Sequence, residues 1–129
     1  MAEALNGKIE IIKLWENASP TSEFAAQTIA LDLSGYDMLV ISYGGYLSSE
    51  NALSRGKTEF FDLKANMTSF SMNYGYAGYL VSRLFNVSSN EITFYEGGKF
   101  DTYTTTDYSN NGLNRFIIPL IIYGIKGVQ

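Results

Sequence analysis

The segment Gly56-Lys-Thr58 matches the end of a phosphate-binding loop, in which backbone amides cradle phosphates and the lysine reaches them. Such a loop needs a glycine five positions earlier, where this chain has Asn51, and a preceding strand and following helix that the pattern here does not suggest. Ser54 to Thr58 therefore reads as a solvated turn. Two carboxylate pairs, Asp101 with Asp107 and Glu91 with Glu96, could serve glycoside hydrolysis if they faced each other across a groove. In an acidic chain the plainer reading is solvated surface charge. Asp101, Asp107, Asn110 and Asn111 offer the oxygen ligands that Ca²⁺ favours, without the spacing of an EF-hand loop. The chain has no histidine and no cysteine, which excludes a Cys/His zinc site, a cysteine nucleophile, a Ser-His-Asp triad and a disulfide. We expect no enzyme activity, no catalytic residue, no metal and no cofactor.

What remains is aromatic and polar: 10 Tyr, 8 Phe and 1 Trp. Tyr74, Tyr76, Tyr79, Tyr95, Tyr103 and Tyr108 form the most suggestive set, because a tyrosine ring joins a flat apolar face to a polar tip and suits stacking on sugars or on a partner surface. Tyrosine also fills strands, so the same residues serve equally as packing. Of these, Tyr74, Tyr76, Tyr95, Tyr103 and Tyr108, with Arg83, are the candidate ligand or partner contacts. Arg83 interrupts the apolar parity of Tyr79, Val81, Phe85 and Val87, so its guanidinium must be paired inside or lie at an interface. Trp15 beside the Pro20 loop reads as a core or rim plug.

The elements that would position these residues are strands. Alternation of period two recurs and helical spacing does not. Lys8 to Trp15 reads as a first strand, followed by a loop through Pro20, within which Ala18 to Thr28 is the only stretch with room for a helical turn. A short strand carries Ile29, Leu31 and Leu33. Met38 to Tyr43 is apolar on both parities, as a strand covered on both faces is, and belongs in the middle of a sheet. Ser48 to Lys57 reads as a polar excursion, and Phe61 with Leu63 as part of the next strand. Phe70 to Tyr76 and Tyr79 to Val87 form a hairpin, and Glu91 to Tyr95, Thr102 to Thr106 and Arg115 to Tyr123 complete the set. The last is apolar on both parities yet holds Pro119, which has no N–H to give a ladder, so a bulge or an edge position is expected there. The expectation is an all-β, antiparallel, jelly-roll-like β-sandwich of about eight or nine short strands. Residues 8–129 form its single domain behind a flexible lead of residues 1–7.

The formal net charge is −4, and no Lys/Arg cluster is present to neutralise phosphates, so nucleic acid is not an expected partner. The N-terminus shows no signal peptide, and the longest apolar stretch, Phe116 to Ile125, is broken by Pro119 and Gly124 and falls short of a spanning helix, so membrane insertion is not expected.

Leu14 to Thr28, continuing through Leu31 to Asp37, resembles a module of tailed-phage and prophage structural proteins of Firmicutes, and Ile117 to Gly127 resembles the closing strand of the same proteins. The resemblance implies a virion component near the tail or baseplate, assembled in the bacterial cytoplasm, with no catalytic residue to carry over. Its expected partners are further copies of itself and other virion proteins. A second reading from the tyrosines is a carbohydrate-binding, lectin-like sandwich for a host-surface glycan, with the loops 48–57 and 101–114 as its rim.

Overall fold

The computed structural model describes residues 8–47, 52–65, 67–76, 79–101 and 116–128. Its elements are strands β1 (Lys8–Glu16), β2 (Gln27–Ala30), β3 (Met38–Leu47), β4 (Ala52–Asp62), β5 (Ser69–Tyr76), β6 (Tyr79–Val87), β7 (Glu91–Asp101) and β8 (Ile118–Val128), with one 3-10 turn at Leu63–Ala65. They form two four-stranded antiparallel sheets, one in the order β1-β8-β3-β4 (sheet A) and the other β2-β7-β6-β5 (sheet B). The chain is all-β, as its alternation implies. The β1–β8 and β2–β7 pairings are those of a jelly roll, but β3 pairs with β4 as a hairpin and β5–β6–β7 is a meander, where a jelly roll pairs β3 with β6 and β4 with β5; the fold is an antiparallel sandwich that departs from the expected jelly-roll order.

The inner faces follow parity. Leu39, Ile41 and Tyr43 of β3 and Ile122 of β8 meet Met72, Val81, Phe85, Ile92 and Phe94 of sheet B in one buried cluster. A run of rings crosses it: Trp15 on Phe24, Phe24 on Phe94, Phe94 on Phe85, and Phe85 on both Phe61 and Phe70, with centroids 4.9–6.1 Å apart. Trp15 thus caps the rim of the core, as its position suggests.

Three assignments change. Residues 52–57 are not a loop but the first half of β4, so Ser54 to Thr58 lies in a strand and not in a solvated turn. Pairing with β3 makes the strand, where local composition alone favours a turn. The helical turn falls at Leu63–Ala65, and none forms within Ala18 to Thr28. Strand β2 stops at Ala30, after which the Leu31 and Leu33 amides donate to the Asn90 and Ser89 carbonyls outside a regular ladder. The proposed strand Thr102 to Thr106 and the lead 1–7 lie outside the described residues.

Pro119 sits in β8 between β1 and β3, not at an edge, and the β3–β8 register slips between Ser42 and Tyr43 so that Leu120 is the extra residue beside it. Asn17 takes over where the β1–β8 ladder ends: its amide donates to the Leu120 carbonyl at 2.8 Å and its Nδ2 to the Pro119 carbonyl at 2.9 Å.

Gly124 is the closest fit in sheet A. A Cβ there would stand 2.6 Å from Cδ1 and 2.9 Å from Cγ of Tyr36, so the ring occupies the space a side chain would need. Gly124→Ala should cost about 1–3 kcal/mol of stability by overpacking. Chemical denaturation should show that loss, and it should largely vanish when Tyr36→Ala is added.

Candidate functional site

Arg83 is completely buried, so the interior alternative applies and its place among surface contacts is corrected. Its Nε donates to the Ile117 carbonyl at 2.8 Å, Nη2 to the Phe116 carbonyl at 3.1 Å and Nη1 to the Tyr95 carbonyl at 2.7 Å, while the guanidinium carbon lies 5.2 Å from the Phe24 ring centroid. A guanidinium presents its N–H donors in a rigid fork, which suits carbonyls converging from several directions. Two irregularities supply them. The β6–β7 register slips between Arg83 and Phe85, so Tyr95 and Glu96 together oppose Leu84 in a bulge that turns the Tyr95 carbonyl inward. Ile117 has φ of 51°, a left-handed conformation that costs a β-branched residue on the order of 1–3 kcal/mol. That strain is offset where its carbonyl meets Arg83.

The candidate tyrosines divide. Tyr74 and Tyr76 end β5, Tyr79 begins β6, and the strand ends Leu47, Ala52 and Asp101 lie at this same end of the sandwich, while residues 48–51 and 102–114 of the expected rim lie outside the described residues. The two sheets are tied near it. Lys57 Nζ of β4 donates to the Asn73 carbonyl of β5 at 3.0 Å, and the Tyr43 hydroxyl of β3 lies 3.1 Å from the same oxygen. Tyr74 pairs with Val81 and Tyr76 with Tyr79 across the β5–β6 hairpin, and Tyr103, Tyr108, Asp107, Asn110 and Asn111 lie outside the described residues. Glu91 and Glu96 are exposed on β7, and among the described residues no group of three acidic side chains is placed to hold a metal.

Tyr95 stands apart on the outer face of sheet B, 43% exposed. Its hydroxyl accepts from Asn86 Nδ2 at 2.8 Å, and Asn86 Oδ1 accepts from Ser69 Oγ at 2.7 Å.

The feature that sequence reasoning missed is the outer face of sheet A. Cross-strand register aligns Ile11, Ile125 and Met38 at one level and Lys13, Tyr123, Val40 and Phe60 at the next. Ile9, Ile11 and Phe60 are 71%, 64% and 59% exposed, so no described part of the chain covers them. The signal was present in β1, whose Ile9 and Ile11 make one parity apolar while Ile12 and Leu14 occupy the other.

At the opposite end from the gathered tyrosines, a cavity of about 280 Å³ opens over Leu33, Leu63 and Val87 beneath hydroxyls of Ser34 and Thr68. Beside it, Asp37 accepts from the Gly127 amide at 3.1 Å and faces Lys64 Nζ at 3.2 Å. The amide bond first, and then the lysine, hold its carboxyl below its ordinary value of 3.8.

No family model matches the chain, and neither a curated protein nor a solved structure is found to match it.

Arg83→Met leaves the carbonyls of Tyr95, Phe116 and Ile117 without this donor in a dry site, and should cost more than about 3 kcal/mol in urea unfolding. Asp37 binds its proton less readily folded than unfolded. Its stabilisation is therefore complete above the unfolded carboxylate range and fades as pH falls through the lower, folded value. Acid titration of the melting temperature should show a smaller drop for Asp37→Asn than for the parent chain.

Proposed function

We propose that the chain is a non-enzymatic structural protein that works by assembly, with the outer face of sheet A as its contact surface. One observation supports the reading most. β3 and β8 are apolar on both parities, as strands covered on both faces are, yet on the outer face of the sheet they centre Ile9, Ile11 and Phe60 stay exposed and no described part of the chain covers them. A second copy supplies the missing cover. The face is about 20 Å wide and 30 Å long from strand spacing and rise, so two copies face to face hide on the order of 1,200 Å², above the roughly 1,000 Å² expected of a specific interface. The resemblance of Leu14 to Asp37 and of Ile117 to Gly127 to phage structural proteins makes a tail- or baseplate-associated virion part the setting in which such assembly has a use. There the same face would equally meet neighbouring virion proteins.

Light scattering should find a dimer or a larger closed assembly. Ile11→Lys together with Phe60→Lys should give a monomer, and Leu80→Lys, on the outer face of sheet B, should leave the mass unchanged. A parent chain that stays monomeric at about 100 µM, a level at which interfaces of even −5.5 kcal/mol are half occupied, overturns the reading.

A further inference from the structure

We propose that the outer face of sheet B, around Tyr95, is a binding site for neutral carbohydrate. The site lies on the face of the sandwich opposite the assembly surface and goes beyond the assembly reading.

Four uncharged side chains stand at one level across the whole sheet: Thr28 of β2, Thr93 of β7, Asn86 of β6 and Ser69 of β5. Thr28 and Thr93 share a hydrogen bond of 3.0 Å between their hydroxyls, and Ser69 bonds Asn86. This row is therefore already oriented before any ligand arrives, which lowers the ordering cost of binding. One level along, the bulge places Tyr95 beside Leu84, which is 50% exposed. The Tyr95 hydroxyl accepts from Asn86, which leaves its own proton to donate outward and holds the phenol over the row. On the other side of the row, Asn86, Val87, Ser88, Glu91 and Thr93 line a depression of about 210 Å³. An apolar ring and a leucine for the C–H face of a sugar, a row of hydroxyls and an amide for its O–H groups, and a hollow beside them are what a polyhydroxylated ligand needs.

The charge of the face selects among sugars. Among its described residues none is Lys or Arg, while Glu91 and Glu96 are exposed on it and the whole chain carries a net charge of −4. Sulfated or sialylated chains would be repelled, and neutral hexose or N-acetylhexosamine chains would not.

The site is a sheet face and differs from the rim expected at residues 48–57 and 101–114. The fold puts Tyr95 of the tyrosine set on an open sheet face with an ordered polar neighbourhood.

The test is binding of the full chain to an array of neutral hexose and N-acetylhexosamine oligosaccharides beside sulfated and sialylated ones, followed by calorimetry on the best neutral oligosaccharide. The expected result is binding confined to neutral chains, little changed by salt, and weakened at least about tenfold by Tyr95→Ala. Tyr95→Phe keeps the ring and should lose only part of that. Circular dichroism and the melting temperature report whether each variant is folded, and Thr93→Ala gives an independent reading should Tyr95→Ala not fold. The Ile11→Lys, Phe60→Lys variant should bind with the parent's affinity per site, so loss of assembly and loss of this site are separate results. Binding to no neutral oligosaccharide, a preference for anionic ones, or full affinity in folded Tyr95→Ala and Thr93→Ala variants overturns the proposal.

Discussion

The structure depends on one buried cation. Arg83 belongs to sheet B, yet its guanidinium holds the carbonyls of the segment that carries the chain into sheet A and of the bulge in the neighbouring strand. A charge without solvent is costly unless its donors are met, and backbone carbonyls can meet them only where the chain departs from a regular ladder. The bulge at Tyr95 and the left-handed Ile117 are those departures. Each alone is a fault in a sheet. With the arginine between them they become mutually required, because a regular β7 would turn the Tyr95 carbonyl away and a relaxed Ile117 would withdraw its own.

The same bulge has an outer side. Where two residues oppose one, both Tyr95 and Glu96 stand exposed and the tyrosine ring is displaced toward the row of small polar side chains next to it. The interior clamp and the aromatic surface are thus two faces of one backbone irregularity. The other sheet is built differently. Its central strands are largely apolar on both sides, with the β8 bulge at Leu120 near one end, and the polar side chains Lys13, Glu16, Thr58 and Asp62 sit on its edge strands β1 and β4, where Thr58 meets Ser42 of β3. One side of the sandwich therefore offers a greasy surface with a polar frame, and the other a polar surface with a single ring.

Much of this was legible in the residues. Both-parity hydrophobicity placed Met38 to Tyr43 in the interior of a sheet, the clean alternation of Phe70 to Tyr76 and Tyr79 to Val87 marked a hairpin, and Pro119 announced a bulge or an edge, of which the fold takes the bulge. Arg83 declared itself by breaking an apolar parity. What escaped depends on neighbours far along the chain. The first half of β4 is polar and glycine-bearing, and only its register with β3 makes it a strand. Ile9 and Ile11 look like core in isolation; that they face outward follows from the register β1 takes against β8, and register with a strand over a hundred residues away is not written in local pattern. The row from Thr28 to Ser69 unites four distant segments, so no spacing in the sequence announces it.

Strand order also dictates when each sheet can exist. Sheet B contains a meander, β5 to β7, whose partners follow one another and can close through short-range contacts. Sheet A cannot be completed in that way, because β8 lies between β1 and β3 and is synthesised after both. Until it arrives, β1 and the β3–β4 hairpin are separate apolar pieces with unsatisfied edges, waiting for a strand more than a hundred residues away from the first of them. Nascent chains therefore pass through a stage in which half of the sandwich is formed and the other half is adhesive, and the speed with which β8 threads its gap sets how long that stage lasts.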